Sequence, residues 1–404
     1  MKSTGSNLAL RNGKILLPNG RIVTGGLTIH NGKIARIGKP DRKLTTLDCR
    51  GAYVIPGLID IHTHGIGYES SNGTLATYAE REATRGTTAF YPSFFGPVEE
   101  TIAHINRHLK ETDNLRAVPQ VVGFRLESPY LARTGAGRSK DLAPIRSTTT
   151  RRLLRAGNGW IKIWDISPEL TGAPAVIRAL SRTGVVCSIA HTQCTVEQAQ
   201  AAISAGARLV THLFDTFVMP PQTDPGVYPA GLVDYLLVED RVACEIVADG
   251  THVAAFHVEK TLRCKPAGGV IFVTDSNFGA GLPPGEYNLP QGWGRVKIAG
   301  PNNGVRMIDR DMGLAGSALT PIDGFRNTIR MFHKDMAVAS RLCSGNPARL
   351  LDLNKGEIAV GRDADLVVLS PKLDVLYTVV GGKIIFNRQS QDSGRHPATR
   401  RPRP

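Results

Sequence analysis

Long hydrophobic runs are missing from this chain: no stretch approaches the ~18 consecutive apolar residues of a membrane span, which argues against an integral membrane protein. Residues 1–20 have polar residues throughout and carry no apolar leader core, so a cytoplasmic protein is expected. Cysteine is scarce. Cys49, Cys187, Cys194, Cys244, Cys264 and Cys343 are scattered without a CxxC pair and read as reduced residues of the core or around a site. The 43 glycines and 25 prolines among 404 residues fall well short of a quarter of the chain, which excludes collagen-like and low-complexity architectures. Acids are outnumbered, 35 against 49 Lys and Arg, for a net charge of +14. That excess could suggest a nucleic-acid partner, but Arg388, Arg395, Arg400, Arg401 and Arg403 face a single acid, Asp392, and no recognition motif accompanies them. Residues 389–404 are read as a disordered basic tail, and neither a nucleic-acid nor a membrane partner is expected.

With 41% hydrophobic and 21% charged residues, the chain has material for a large core, and its length exceeds what one core usually fills. Residues 8–37 alternate short apolar runs with Asn12-Gly13, Asn19-Gly20 and Asn31-Gly32, the chemistry of hairpin turns. The same texture returns at Gly356-Glu357-Ile358, Asp365-Leu366-Val367-Val368-Leu369 and residues 375–386, so a small β-sandwich built from both termini is expected over residues 1–56 plus 352–388. Between them, residues 57–351 alternate apolar runs with helical stretches. Eight runs end near Asp60–His64, Tyr91–Ser93, Glu127–Ser128, Trp164–Asp165, Ala190–Thr192, Thr211–His212, Asp249–His252 and Thr274–Ser276. That predicts an α/β fold, a TIM (β/α)8 barrel, with six or seven strands as the competing count.

A TIM barrel carries its active site at the C-terminal ends of its strands, and here those ends bring His62, His64, Glu127, His191, His212, His252 and Asp275. At roughly 20–40 residues per βα unit, they fall on strands one, three, five, six, seven and eight. Any one of these histidines could be a satisfied core residue or a cap; their convergence on one mouth is harder to explain that way. Imidazole and carboxylate ligands suit Zn(II), Fe(II) or Mn(II). His30, His104, His108, His257, His333 and His396 are assigned no role, and His104 and His108, four apart, read as a solvated helix face. Lys162 could instead serve as a carboxylated bridge between two metals, although Glu127 already offers a bridging carboxylate.

These residues carry a family resemblance over nearly the whole chain. Pro56-Gly57-Leu58-Ile59-Asp60-Ile61-His62-Thr63-His64-Gly65 resembles the first-strand signature of the amidohydrolases, and Gly361-Arg362-Asp363-Ala364-Asp365 their returning β strand. More closely, the chain resembles N-acetylglucosamine-6-phosphate deacetylases. The resemblance implies metal binding by Glu127, His191 and His212, with His62 and His64 permitting a second ion. It implies catalysis by Asp275 as proton acceptor and then donor, and oxyanion support from His252. Substrate contacts would come from Gly250, Thr251 and His252, from Asp215 and Thr216, from Ala136 and Gly137, and from Leu314, Ala315 and Gly316. It further implies one or two divalent metals, zinc first, a small N-acetyl amino sugar as substrate, and a homodimer.

Three positions depart from the deacetylase pattern. Asp215-Thr216 stands where Asn-Ala is usual, Thr223 where an Arg grips the sugar phosphate, and Gly135-Ala136-Gly137 where the loop reads Gly-Ala-His. Asp215 would repel a phosphate, so a replacement cation is sought in Arg133, Arg138 or Lys140. The competing readings are a hydrolase of an unphosphorylated N-acyl sugar, N-acyl amino acid or cyclic amide, and a non-catalytic scaffold.

Overall fold

Apolar runs closed by a polar residue become the staves of a barrel. The computed structural model describes residues 6–110, 115, 118–222, 224–290 and 293–393. Eight parallel strands follow one another in chain order: β1 Leu58–Thr63, β2 Thr87–Phe94, β3 Phe124–Leu126, β4 Ile161–Ile166, β5 Val186–Ile189, β6 Leu209–Val210, β7 Ala243–Val247 and β8 Val270–Val273. A parallel bridge between Thr63 and Ser276 links β8 back to β1, and the Asp275 N–H donates to the His62 carbonyl at 2.8 Å. Each strand is followed by a helix: α1 Leu75–Ala83, α2 Val98–Lys110, α3 Ser147–Gly157, α4 Ala173–Ser181, α5 Val196–Ala205, α6 Leu232–Val238, α7 Ala255–Cys264 and α8 Pro321–Arg330.

Local chemistry sets these helices. In α2, Glu99 and Glu100 occupy the first turn and Arg107, His108 and Lys110 the last, matching the helix dipole. Thr195 and Gln198 cap α5 reciprocally. The strands alternate in two directions. Ile61, Ala89, Tyr91, Ile163, Val186, Leu209, Val247 and Ile271 fill the lower barrel interior. Phe90, Phe124, Trp164, Ile189, Val210 and Ile246 pack outward under the helices. The register between β1 and β2 shifts between Asp60 and Thr63, and both histidines of the His-x-His pair reach one spot, their Nε2 atoms 3.3 Å apart.

The termini meet in a second sheet. Strand Tyr53–Pro56 pairs in parallel with Leu8–Leu16 and antiparallel with Leu366–Leu369, so the two ends of the chain share one eight-stranded sheet. It wraps a core that joins Leu10, Ile15, Ile29, Ile34, Val54, Leu366 and Val379. Thr378 Oγ1 fastens it to α1 by donating to the Ala83 carbonyl at 2.7 Å. Asn31-Gly32 turns one strand into the next, but Asn12-Gly13 does not make a hairpin. It lies inside strand Leu8–Leu16, where the register with Ile22–His30 shifts, so the left-handed Asn12 (φ 55°) serves a bulge. Gly356-Glu357-Ile358 is not a strand, although Ile358 is buried in the core of this sheet. The tail expected to be disordered from residue 389 starts inside a short helix, Arg388–Ser393, opened by Asn387, whose Oδ1 accepts the Gln389 N–H; residues 394–404 lie outside the described residues.

A third sheet had no counterpart in the sequence reading. Between β8 and α8, strands Gly285–Leu289, Gly294–Ile298, Val305–Met307 and Gly313–Leu314 form an antiparallel sheet over Phe278, Val296 and Ile298. The cysteines are all free, and five are buried; Cys264 is exposed. Among the described residues no helix is long and apolar enough to cross a membrane.

Glu82 of α1 is buried with one carboxylate oxygen accepting from Thr87 Oγ1. Burial, followed by the nearby charge of Asp60, pushes its carboxyl from the ordinary 4.5 up to about 8. A raised carboxyl binds its proton more tightly in the folded state, so its stabilising contribution is complete below about 4.5 and disappears as pH rises through 8. Denaturant unfolding of the native chain should therefore show a loss of stability between pH 5 and 9 (both approximate bounds of that window) that Glu82→Gln reduces. Parallel pH profiles for the two proteins would refute this.

Candidate active site

Three tiers of side chains rise through the barrel. Above the apolar floor, the fully buried Arg125 donates to Asp165 at 2.9 and 3.0 Å, to Glu245 Oε2 at 3.1 Å and to Thr211 Oγ1 at 3.0 Å. Glu245 Oε2 in turn lies 3.4 Å from His62 Nδ1 and accepts the His212 backbone N–H at 3.4 Å. The charged tier thereby holds two residues of the next one.

That uppermost tier is centred on Glu127. One carboxylate oxygen stands 2.9 Å from His191 Nε2 and 3.6 Å from His212 Nε2; the other stands 3.0 Å from His64 Nε2 and 3.6 Å from His62 Nε2. Asp275 Oδ1 is 3.4 Å from His64 Nε2 and 3.5 Å from His62 Nε2. Ligands of a tetrahedral ion at ~2.0–2.1 Å stand roughly 3.3 Å from one another, so the spacing fits a divalent cation on each side of Glu127. His62, His64 and Glu127 form one set, and Glu127, His191 and His212 the other. His64 Nδ1 is steadied by the Ser93 carbonyl at 3.1 Å, whereas the Nδ1 atoms of His191 and His212 are buried without a partner among the described residues.

The electrostatics make the same demand for positive charge. Burial alone would raise Glu127, but the facing His62 and His64 and the hydrogen bonds from His191 and His212 hold it well below the usual carboxylate range. Asp275 is held low against burial by His62, His64 and His212. The carboxylates conversely overcome burial and lift His64 and His212 to about 10. Protons on the imidazoles or a divalent cation can answer that demand, and the nitrogen and oxygen donors suit the latter. Three of these residues sit in the left-handed backbone region, His191 at φ 45°, His212 at 25° and Asp275 at 46°, a strain that concentrates at functional sites.

The cluster opens into a cavity of about 700 Å³ lined by His64, Glu127, His191, His212 and Asp275, with His62 beneath. His252 also lines it, and its ring is fixed by Nδ1, 2.7 Å from Asp249 Oδ2. Of the expected substrate contacts, Ala136, Gly137, Asp215, Thr216, Leu314 and Gly316 reach the cavity. Gly250, Thr251 and Ala315 are not among its lining residues. Gly250 is exposed, Thr251 Oγ1 donates to the Asn302 carbonyl at 2.6 Å, and Ala315 is wholly buried with its N–H on the Val305 carbonyl. A side chain at Gly137 would run into the Phe95 ring, so that aromatic fills the space a histidine would need. Lys162 is exposed and outside the ligand groups. His108 is buried rather than solvated, its Nε2 2.8 Å from the Ser71 carbonyl, and His104 lines the cavity. Thr223 lies outside the described residues. Sequence reasoning missed Phe95, Phe278, Trp293, Met307 and Arg310, which also line the cavity.

The amidohydrolase description matches residues 53–385, most of the chain. The chain belongs to the amidohydrolase family. Among curated relatives, this amidohydrolase is 28% identical over 388 residues to N-acetylglucosamine-6-phosphate deacetylase of Lysinibacillus sphaericus, covering 94% of this chain and 97% of that one. It is 27% identical to the deacetylase of the same name from Homo sapiens, covering 92% and 94%. Among solved structures, N-acetyl-D-glucosamine-6-phosphate deacetylase from Mycobacterium smegmatis superposes with a TM-score of 0.82 at 27% identity, over 94% of this chain and all of that one. A mutant of that enzyme was solved in complex with N-acetyl-D-glucosamine-6-phosphate.

Because Glu127 touches all four imidazoles of the amidohydrolase cluster, Glu127→Gln should strip both candidate metal positions. Its divalent-metal affinity should fall by roughly 10-fold or more, read by chelator competition and elemental analysis, while Asp249→Asn retains metal. A Glu127→Gln protein with native metal content would remove Glu127 from the ligand set.

Proposed function

We propose that this amidohydrolase removes the N-acetyl group from an amino sugar, N-acetylglucosamine 6-phosphate foremost, releasing acetate and the free amine. The observation that carries the reading is the position of Asp275, one oxygen within 3.5 Å of His62 and His64 Nε2 and on the wall of the cavity that His252 also lines. A bound divalent cation would supply Lewis acidity and a water of lowered pKa. Asp275, held as a carboxylate, is placed to accept a proton from the attacking water at an Oδ atom and then to return it to the leaving amine nitrogen as the C–N bond breaks. His252, whose Nδ1–H donates to Asp249 and whose pKa that carboxylate raises against burial, presents Nε2–H as an imidazolium to the carbonyl oxygen as negative charge develops there. Phe95, Phe278 and Trp293 give the cavity sides that exclude water from a sugar ring.

Zinc is the metal this donor set favours, with Fe(II) or Mn(II) the alternatives. The chain would work in the cytoplasm and, as the deacetylase resemblance implies, as a homodimer. Asp215 keeps a second reading open: it lines the cavity and groups with His212 and Asp275, where its charge favours an unphosphorylated N-acyl substrate.

Acetate release from N-acetylglucosamine 6-phosphate and from N-acetylglucosamine tests both readings, the first expecting a strong preference for the phosphorylated sugar. Asp275→Asn should lower kcat by about 10²–10⁴-fold with metal content retained; full activity in that variant would remove Asp275 from the chemistry.

A further inference from the structure

Away from the metal ligands, the cavity wall carries two guanidinium groups, both on connecting segments. Arg138 comes from the segment between β3 and α3, and Arg310 from the turn between strands Val305–Met307 and Gly313–Leu314. Arg138 is held by one nitrogen: Nε lies 3.4 Å from Asp141 Oδ2, while the side chain as a whole is 56% exposed. Its two terminal nitrogens have no partner among the described residues. Arg310 is exposed, its carbonyl closes the turn by accepting the Gly313 N–H, and its guanidinium has no partner among the described residues. His62, Glu127, His191 and His212 are buried. The cations therefore mark the mouth of the cavity, the metal ligands its floor, and Phe95, Phe278, Trp293 and Met307 line the sides.

We propose that Arg310 and Arg138 form the subsite for an anionic substituent of the substrate, a phosphate monoester on the amino sugar. Apart from the imidazoles at and beside the floor, the other charged groups on the wall, Glu100, Asp141, Asp215, Glu127 and Asp275, are carboxylates that repel such a group, and Thr223 cannot bind it by charge. Two planar forks with free N–H groups match the oxygens of a phosphate. This assignment rests on the deacetylase reading for its substrate and deepens it: the chain meets the phosphate from the hairpin sheet and the β3–α3 segment. Arg133, in the same segment, is exposed and does not line the cavity, so it has no part in the subsite.

The test measures acetate release from N-acetylglucosamine 6-phosphate and from N-acetylglucosamine for the native enzyme, Arg310→Met, Arg138→Met, the double variant and Arg133→Met. The ratio of kcat/KM for the phosphorylated over the plain sugar should fall roughly 10- to 100-fold in Arg310→Met, mainly through KM, and further in the double variant. Arg133→Met should keep the native ratio although it removes a charge from the same segment. An unchanged ratio in the double variant would overturn the proposal. Calorimetric titration with glucose 6-phosphate, which has no amide to hydrolyse, decides the clamp separately. The native enzyme should bind it at least tenfold more tightly than the double variant, and equal binding, or none by the native enzyme, overturns the clamp. Failure of acetate release from both sugars with that binding difference intact would sink the deacetylase reading and leave the anion subsite standing.

Discussion

A single buried guanidinium organises the interior of this barrel. Arg125 lies in the middle tier with no exposure, and its neighbours Asp165 and Glu245 come from β4 and β7. The neighbouring strands β3 and β4 are thus tied across the lumen to β7. Removing one partner from such a buried ionic group typically costs about 3–5 kcal/mol, because the remaining charge is stranded. The unit also sets the tier above it, since Glu245 faces the ring of His62 and accepts the backbone N–H of His212. Outer carboxylates of this kind fix the tautomer and orientation of an imidazole ligand.

The pattern of legibility in the sequence follows from this layering. All eight barrel strands were readable because each is a largely apolar run that a polar residue closes, and on six of them the closing residues are those that converge at the candidate site. His62, His64, Glu127, His191, His212 and Asp275 converge as their spacing indicated. The charged tier was not readable. Phe124-Arg125-Leu126 and Cys244-Glu245-Ile246 alternate as a half-exposed strand would, and only closure of the barrel turns those charges toward one another. The antiparallel sheet over 285–314 escaped for another reason: its strands are short, glycine-punctuated and partly exposed, with no periodicity long enough to register. Asn12-Gly13 shows the converse error. The dipeptide supplies a left-handed residue to a bulge as well as to a turn, and local chemistry does not distinguish the two.

Backbone strain and anchoring explain why the ligand tier can be so precise while its surroundings vary. His191, His212 and Asp275 each leave their strand in a left-handed conformation that costs on the order of 1–3 kcal/mol. Each is countered by a bond from rigid structure. Ser167 Oγ donates to the His191 carbonyl at 3.0 Å, Glu245 accepts from the His212 N–H, and the His62 carbonyl accepts from the Asp275 N–H. The floor of the cavity is therefore defined by strands and by the charged tier below, before any substrate arrives.

Its walls are made differently, and that separates reaction type from substrate choice. Phe95 follows β2, Gly137 and Arg138 lie between β3 and α3, Asp215 and Thr216 follow β6, and Trp293, Arg310 and Leu314 belong to the inserted sheet. The departures at Gly135-Ala136-Gly137 and at Asp215-Thr216 fall on these segments and not on the floor. One of them is linked to a neighbour, since Gly137 has lost the room for a side chain to the ring of Phe95. A change of that kind alters which groups a substrate meets without moving a candidate metal ligand, because those side chains take their positions from below. Hydrolysis of an amide is thus written into the tiers of the barrel, and the identity of the acyl amine into loops that can change independently of it.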